Sequence, residues 1–309
     1  MQKIFVGIDV SKKKLDTYIT GLSNYSVFDN TKSGYVKLIK VLKKVNPELI
    51  LLESSGGYEL PIAYKLIAKV FKVAIINPRM IRAFARAKGL HAKTDKIDSR
   101  LIAEYGEALK PEVVEIMSKE GRELKELVLR RGQIMNQITA EGNRLETLMS
   151  KFLRSDIKKH IKQLKRHLEL VDKEIHRLID NSLCWKKEKG FLTSIKGVGN
   201  VLASTLIAEL PELGKLNRKE IAALVGVAPY NADSGKKTGM RFIKGGRKHL
   251  RNTLYMATVA AVRSNARIKA FYLKLKGKGK ASKVALVACM RKFLILINAL
   301  FKKEMLPAT

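Results

Sequence analysis

The run Ile4-Phe5-Val6-Gly7-Ile8-Asp9-Val10 decides the fold of the N-terminal part of the chain, because a short apolar stretch rich in β-branched residues predicts a buried strand. A second run, Leu49-Ile50-Leu51-Leu52-Glu53, has the same character and also ends on an acid. A carboxylate at the end of a buried strand costs free energy unless something compensates it. We therefore expect Asp9 and Glu53 to mark a functional edge of a sheet, with a bound cation as the simplest compensation.

The surrounding sequence alternates between strand and helix signals. Turn spacing and β-branched content predict strands at residues 3–10, 14–21, 24–30, 49–53 and 73–76. Apolar spacing predicts helices near residues 33–45, 58–69, 79–88 and 96–109. An antiparallel start followed by alternating helices and strands indicates an α/β domain, with a mixed sheet and helices on its faces.

Composition indicates a polyanionic partner. The 309 residues contain 61 Lys+Arg against 28 Asp+Glu, a net charge of +33. Phosphates bound by Lys and Arg release counterions, which favours nucleic-acid binding, although a ribosomal or merely soluble basic protein has the same balance. The two cysteines, Cys184 and Cys289, predict neither a disulfide framework nor a zinc site.

Location follows from the ends of the chain. The N-terminus begins directly in a strand pattern, so we expect no signal peptide. The apolar stretch 284–301 is interrupted by Arg291-Lys292, which predicts a packed helix rather than a membrane span. We therefore expect a cytoplasmic protein with no membrane partner.

Two further acids, Asp95 and Asp98, lie three residues apart on a predicted helix and so face one way. With Asp9 and Glu53 they would converge on one or two Mg²⁺ ions about 3.5–4 Å apart, the arrangement used for phosphoryl transfer. A plainer interpretation stays open. Asp98 would then be a surface acid paired with Lys96 or Arg100, and Asp95 the N-terminal acid of its helix.

A heptad pattern follows, between residues 120 and 182. Steps of four and three residues separate Ile157, Ile161, Leu164, Leu168, Val171, Ile175 and Leu178, which predicts a coiled coil. A break near Arg154-Ser155 indicates two helices folded back as an antiparallel hairpin. We favour an oligomerising hairpin over a surface helix pair packed on its own domain, since a regular seam needs a partner.

The C-terminal part carries two loops with functional potential. Residues 195–199 form a glycine hairpin between two predicted helices. Either the backbone N–H groups of this hairpin hold a phosphate, or the hairpin is a helix–helix turn with no ligand. Residues 228–239 form a glycine-flanked loop that contains Ser234. A serine hydroxyl is a weak nucleophile and needs a base, a metal or concentrated positive charge. Ser234 is therefore either a nucleophile or a turn residue, and Tyr230 is a rival nucleophile.

Basic residues around these motifs are predicted to contact nucleic acid. In the N-terminal part they are Lys12, Lys13, Arg79, Arg82 and Arg86. In the C-terminal part they are Lys196 with the backbone of Gly197 and Gly199, followed by Lys236, Lys237, Arg241, Lys244, Arg247, Lys248 and Arg251.

Several ordered motifs together resemble the DEDD transposases of the insertion-sequence-110 type, which include the Piv/MooV DNA invertases. Residues 6–12, 52–58 and 93–103 resemble motifs of their RuvC-like domain, which has an RNase H fold. Residues 195–199, Ala228-Pro229 and 233–236 resemble motifs of their second transposase domain. The resemblance covers nearly the whole chain.

This resemblance implies a mechanism and partners. It implies that Asp9, Glu53, Asp95 and Asp98 bind Mg²⁺ and that Ser234 forms a transient 5′-phosphoserine link to DNA. It also implies double-stranded donor and target DNA, a structured non-coding guide RNA from the element, and dimers or tetramers assembled through the coiled coil. The location implied is the nucleoid of a prokaryotic cell.

The predicted organisation is a RuvC-like domain at residues 1–112, a coiled-coil helical domain at 113–185, and a helical transposase domain with the serine and the helix–hairpin–helix at 186–309. Three functions stay open at this stage. They are a serine-dependent DNA recombinase, a metal-dependent nuclease of the Holliday-junction-resolvase kind, and a non-catalytic nucleic-acid-binding protein.

Overall fold

The computed structural model describes residues 3–22, 24–90, 94–114, 117–231, 239 and 241–305. The chain divides into two compact units, Met1–Ile116 and Met117–Thr309, called here the first and second units. The first boundary lies near the predicted end of the RuvC-like domain. The predicted division at residue 185 falls inside the second unit, so the three-domain organisation stays a prediction.

A five-stranded mixed sheet forms the centre of the first unit. Its strands are β1 (Phe5–Val10), β2 (Lys14–Ile19), β3 (Asn24–Asp29), β4 (Leu49–Glu53) and β5 (Val73–Ile76), in the order β3-β2-β1-β4-β5. β1, β2 and β3 are antiparallel neighbours, whereas β4 is parallel to β1 and β5 is parallel to β4. The predicted mixed sheet is confirmed.

Helices cover both faces of this sheet. They are α1 (Lys32–Val45), α2 (Leu60–Ile67), α3 (Pro78–Ala87) and α4 (Asp95–Leu109). Val6, Ile8 and Val10 of β1 pack with α1 and α2 on one face of the sheet. Phe5 and Leu51 pack with α3 and α4 on the other face. The alternation of side chains along a strand therefore explains why β1 is apolar throughout, since both of its faces are buried.

Gly7 sets how closely α4 approaches the sheet. A Cβ atom at this position would overlap the carbonyl oxygen of Ser99 and the backbone nitrogen of Ala103. Glycine thus lets the backbone of α4 rest directly on β1, and Ser99 is fully buried there.

The second unit begins with a helical hairpin, α5 (Lys119–Thr147) and α6 (Lys151–Asp180). The predicted break at Arg154-Ser155 is wrong by a few residues, because the connection lies at residues 148–150. Arg154 is already inside α6, where its side chain donates to the carbonyl oxygens of Leu145 and Leu148 at 2.8 and 2.9 Å. Arg154 interrupts the apolar pattern of the sequence, and in the structure its hydrogen bonds stabilise the turn between α5 and α6.

The heptad seam of α6 faces α5 of the same chain. Leu164, Ile175 and Leu178 are buried, and the other seam residues are half-buried. Arg131 of α5 pairs with Asp172 of α6 at 2.7 Å across the hairpin. The seam therefore has a partner within the chain, and assembly of copies through the coiled coil stays a prediction.

The rest of the second unit is helical except for a short ribbon. It contains α7 (Leu183–Ser194), α8 (Asn200–Glu209), α9 (Arg218–Val225), β6 (Pro229–Tyr230), β7 (Phe242–Ile243), α10 (Lys248–Ser264), α11 (Ala266–Gly277) and α12 (Ser282–Met305). Lys276 and Gly277 form the end of α11, and Lys278 is its C-terminal cap.

Helix α12 is a core helix of this unit. Among the described residues it alone is long and apolar enough to cross a membrane by length and composition, which by itself is weak evidence for a span. Its Cys289, Phe293 and Ile297 are fully buried in the largest apolar cluster, beside residues of α8 and α10. This placement agrees with the predicted packed helix.

Candidate active site

Asp9 and Glu53 lie next to each other at one edge of the sheet. β1 and β4 run parallel with Ile8 beside Leu52, so the residues that follow them are neighbours in register. Because successive side chains alternate between faces, both acids point away from the α1–α2 face and toward the face covered by α4. The two strands that end on these acids are therefore adjacent, and convergence of the acids on Mg²⁺ stays a prediction.

The first turn of α4 brings acids to the same face. Thr94 caps this helix by accepting a hydrogen bond from the backbone N–H of Ile97 at 3.2 Å, and Asp95 and Asp98 follow within that turn. Asp98 is half-buried and directly precedes Ser99, the residue packed on Gly7. The close approach at Gly7 therefore brings the acidic end of α4 toward the end of β1.

A fifth acid, Asp16, belongs to the same cluster and was missed from sequence. It lies directly opposite Asp9 in the β1–β2 pairing and is only 5% exposed. The hydroxyl of Tyr25 donates to its Oδ1 at 2.6 Å. The signal that existed was an acid within an otherwise apolar strand, but its proximity to Asp9 depends on strand register.

The pKa of Tyr25 records how the acids are arranged. Its hydrogen bond to Asp16, burial, and the negative charges of Asp16, Asp95 and Asp9 together raise the pKa to about 12. The hydroxyl therefore stays protonated at neutral pH and remains a donor. Acids from β1, β2 and α4 all act electrostatically on this one group, so they belong to one negatively charged region.

The donor set fits Mg²⁺ in chemical type, because it consists of carboxylate oxygens. Like charges directly opposite each other in a sheet are destabilising, so the pairing of Asp9 with Asp16 favours a nearby cation. The described residues contain no group of three Asp, Glu, His or Cys side chains close enough to hold an ion as they stand. Mg²⁺ usually keeps several water ligands and is held by one or two carboxylates together with substrate phosphates, so an incomplete set of protein ligands still fits this ion in chemical type.

The turn after Glu53 is held by a buried acid. Glu59 is 4% exposed, and its carboxylate accepts hydrogen bonds from the backbone N–H groups of Ser55 at 3.0 Å and Gly57 at 2.9 Å. The hydroxyls of Ser54 and Ser55 also donate to it, each at 3.2 Å. These bonds fix the chain where it leaves β4, and so limit the movement of Glu53.

The pKa of Glu59 reflects this turn. Burial raises the pKa, but hydrogen bonds from the backbone of Glu59, Ser55 and Gly57, together with the Ser55 hydroxyl, outweigh burial. The net pKa is below the usual value for glutamate, so the charged form stabilises the turn.

The predicted basic residues of the first unit all lie on its surface. Lys12 and Lys13 are exposed in the turn between β1 and β2, immediately after Asp9 and Val10. Arg79, Arg82 and Arg86 are exposed on α3. These positions leave their charges available to a polyanion.

The predicted serine loop is only partly described. Ser234, Lys236 and Lys237 lie outside the described residues. Tyr230 and Phe242 pair in the β6–β7 ribbon from which this loop extends, and Tyr230 is 44% exposed. Beyond the loop, Arg241, Lys244 and Lys248 are exposed.

Two basic residues near this loop have internal partners. Arg247 donates to both carboxylate oxygens of Glu212, at 2.6 and 2.7 Å, and to the carbonyl oxygen of Glu209 at 2.6 Å. The side chain of Arg251 donates to the carbonyl oxygen of Gly245. Their contact with nucleic acid stays a prediction, and the structure gives both a role in holding the turn before α10.

The glycine hairpin packs tightly against α10. Gly197 has φ +99°, and a Cβ atom there would overlap Ala261. The carbonyl oxygen of Lys196 accepts a hydrogen bond from the side chain of Asn265 at 2.9 Å, and Gly199 caps α8. Packing thus accounts for Gly197, while phosphate binding by this hairpin stays a prediction.

A mixed sheet with acids at adjacent strand ends is consistent with the RNase H-like domain of a DNA transposase, and the net charge of +33 suits a nucleic-acid substrate. Residues 6–153 match the DEDD_Tnp_IS110 transposase model, and residues 190–273 match the model described as "Transposase IS116/IS110/IS902 family". The chain belongs to the IS110 family of transposases, and it is a DNA-acting enzyme.

Two curated relatives match over their whole length. The chain is similar to the pilin gene-inverting proteins of Moraxella lacunata and Moraxella bovis. Each is 26% identical over 316 aligned residues, which cover 98% of this chain and 97% of the relative. The likeness therefore includes both units and not the sheet alone.

Proposed function

We propose that this transposase cuts and rejoins DNA strands through a transient 5′-phosphoserine on Ser234, with Mg²⁺ held by Asp9, Glu53, Asp95 and Asp98. One observation carries the metal site. Asp9 and Glu53 lie next to each other in register at the ends of adjacent parallel strands, with the acidic turn of α4 on the same face. Asp16 adds negative charge directly opposite Asp9.

The proposed step conserves phosphodiester bonds. The Oγ atom of Ser234 attacks the scissile phosphorus and gives up its proton, while the leaving 3′ oxygen accepts one and becomes a hydroxyl. A 3′ hydroxyl of another strand then attacks the phosphoserine, which restores both the phosphodiester and the serine. Because bond energy is retained in the serine ester, no nucleotide triphosphate is needed.

The residues of the chain divide this work. The carboxylates hold Mg²⁺, which when bound stabilises charge on the phosphate oxygens. Exposed cations such as Lys244 and Lys248 bind the backbone on either side of the cut and raise the local concentration of DNA. Tyr25 and Glu59 keep their neighbouring acids in place.

The proposed partners are donor and target duplexes, together with a structured guide RNA from the element. The net charge of +33 supports polyanionic partners in general. The relatives are named as pilin gene-inverting proteins, and inversion of a gene supports a double-stranded DNA substrate with two exchange sites. Co-purifying nucleic acid, sequenced after isolation from the native host, would identify the RNA.

A covalent-trapping experiment tests the serine. The substrate is a nicked suicide duplex, from which the short fragment that ends in the new 3′ hydroxyl dissociates after cleavage. With the natural chain, the remaining strand should stay attached to the protein as a covalent adduct. Ser234→Ala should bind the same DNA and form no adduct, while Tyr230→Phe should form it normally. An adduct that persists in Ser234→Ala and disappears in Tyr230→Phe would transfer the nucleophile to the tyrosine.

The metal site has its own test, in the same assay. Asp9→Asn and Glu53→Gln should abolish cleavage in Mg²⁺ while leaving DNA affinity within about twofold or raising it, because a repulsive charge is removed. Free 5′-phosphate ends without an adduct would identify a resolvase-like hydrolytic nuclease. Full recombination after neutralisation of all four acids would show that the tetrad is not catalytic.

A further inference from the structure

A large cavity lies in the second unit between the β6–β7 ribbon and helices α9, α11 and α12. Its volume is about 940 Å³, which is at the upper end of the range for small-molecule sites. The walls are mostly apolar and include Phe242, Phe271, Val287 and Ala288. All of its lining residues belong to the second unit, whereas the acidic edge of the sheet belongs to the first.

The charge of the lining is entirely positive. Six basic side chains line the cavity, and no acidic residue is among the described residues that do so; the six are Arg218, Lys219, Arg241, Lys283, Arg291 and Lys292. An apolar floor with a cationic rim suits a ligand that has a flat apolar part and a negative part. A nucleotide has both.

Arg291 lines this cavity and also carries a buried donor. Its Nε is the one buried side-chain nitrogen or oxygen among the described residues that has no hydrogen-bond partner. A buried donor without a partner costs free energy, so a ligand that supplies an acceptor is favoured. A phosphate or base oxygen would supply one.

Besides the cations, the cavity has two aromatic rings, those of Phe242 and Phe271. Phe242 is 53% exposed on the ribbon. Lys292 lies over the ring of Phe271, with Nζ 4.2 Å from the ring centroid. Exposed rings beside cations are how proteins bind single-stranded bases, which stack on the ring while cations hold the backbone.

The ribbon also places the cavity close to Ser234 along the chain. Phe242 and Ile243 line the cavity, and their partners Tyr230 and Pro229 flank the same loop from its other side. The loop that carries Ser234 therefore begins and ends at the cavity wall. A nucleotide bound there would be anchored at the base of that loop.

We propose that this cavity holds one nucleotide of the DNA substrate, displaced from the duplex near the bond to be cut, with its base against Phe242 and Phe271 and its phosphate near Arg291. This rests on the proposed function of Ser234. A second copy of the chain is a poorer occupant, because a chain of net charge +33 brings little negative charge to six cations.

Photocrosslinking with the full-length protein tests the site. The probes are DNA duplexes with single 5-iododeoxyuridine substitutions across the cleavage junction, because this base crosslinks preferentially to aromatic side chains. One position or two adjacent positions should crosslink to the peptides that contain Phe242 or Phe271, as read by mass spectrometry. Phe242→Ala should weaken binding of these duplexes by roughly tenfold through lost stacking.

Two variants make the result specific. Leu273→Ala removes another exposed apolar side chain, 57% exposed and outside the cavity lining, and should bind DNA like the natural chain. Ala288→Trp fills the cavity and should abolish the crosslink. Unchanged thermal unfolding of Phe242→Ala and Leu273→Ala would show that both fold normally.

The outcomes separate this inference from the serine chemistry. Ser234→Ala should keep the crosslink, since that variant removes only the nucleophile. A normal adduct without any crosslink to Phe242 or Phe271, and with full affinity in Phe242→Ala, would overturn the cavity assignment alone. Loss of self-association in Phe242→Ala and Ala288→Trp, with unchanged DNA affinity, would assign the cavity to a second copy and would also overturn it.

Discussion

The hydroxyl of Tyr25, on β3, contacts an acid on β2 that lies beside the proposed metal site. It donates to Asp16, which lies opposite Asp9, and the hydrogen bond to Asp16 is the largest cause of its raised pKa. Its role is positional, because the bond holds the Asp16 carboxylate in one orientation beside Asp9. The charge that a cation would meet at this edge therefore depends on a residue outside the tetrad.

Tyr25→Phe should disturb this arrangement without removing an acid. Leaving the buried Asp16 oxygen without its donor should cost about 1–3 kcal/mol of unfolding free energy, measured by chemical denaturation. The Mg²⁺ concentration for half-maximal cleavage should also shift.

The matched control is Tyr35→Phe. It removes a hydroxyl bonded to Asn30 at 2.5 Å and carried by α1, on the opposite face of the sheet. It should lower stability without moving the Mg²⁺ dependence. Equal Mg²⁺ profiles for both variants would contradict the assigned role of Tyr25.

Glu59 predicts a specific pH dependence of stability. Its folded-state pKa is lowered, so its contribution is present above the unfolded-state pKa and is lost as pH falls through the folded-state pKa. Glu59→Gln should therefore lower the unfolding free energy by about 1–3 kcal/mol at pH 7, where the natural side chain is charged. Below about pH 4 the difference should shrink, because the natural side chain becomes protonated as well. A difference that does not change with pH would contradict this account.

At the scale of elements, the contact between β1 and α4 decides where the acids meet. The strand and helix bounds of the first unit were predicted to within a few residues, because apolar periodicity and turn residues are local signals. The close packing of α4 on β1 could not be predicted from such local signals. It depends on Gly7 and Ser99, which are far apart in sequence and carry no pattern of their own.

Gly7→Ala should separate the two elements. The added methyl group meets the backbone of α4, which cannot rotate away, so we expect a loss of at least about 2 kcal/mol in unfolding free energy. The acids of α4 would be displaced from Asp9, so cleavage should fall even in preparations that remain folded.

Gly142→Ala is the control for this substitution. Position 142 lies in α5 with open space around it, and alanine there should be neutral or stabilise by up to about 1 kcal/mol. Thermal unfolding and cleavage measured side by side distinguish the two. Normal cleavage by Gly7→Ala would show that α4 does not need this close approach.

At the scale of the whole molecule, charge dominates the expected behaviour. With a net charge of +33, DNA binding should be governed by phosphate contacts and counterion release. If about 6–10 phosphates are contacted, affinity should fall by roughly 10³–10⁵ between 50 and 200 mM salt. Filter binding or anisotropy over this range measures the slope, and a nearly flat dependence would exclude phosphate-dominated binding.

Assembly through the helical hairpin also belongs to this scale. Four of the seam residues are only half-buried, and at the tip of the hairpin Met149 is 95% exposed and Phe152 is 78% exposed, so we expect copies to meet along the hairpin and its tip. The double substitution Met149→Ser and Phe152→Ser should shift sedimentation toward monomer. Leu183→Ser is the control, because it removes an apolar residue that is 88% exposed away from the tip. The same sedimentation for both variants would argue against the tip.

The alternation of elements, the apolar strands that end on Asp9 and Glu53 and the heptad seam could be read from the sequence, because they depend on residues close together in the chain. The excess of positive charge could be read from it as well, because it is a sum over all residues. The folded structure was needed to show that Asp16 lies opposite Asp9, that α4 rests on β1 at Gly7, and that Arg247 pairs with Glu212. Those arrangements arise from strand register and side-chain packing between distant segments. One local sequence pattern is compatible with many strand registers and side-chain contacts, and close packing of the folded chain leaves only one of them.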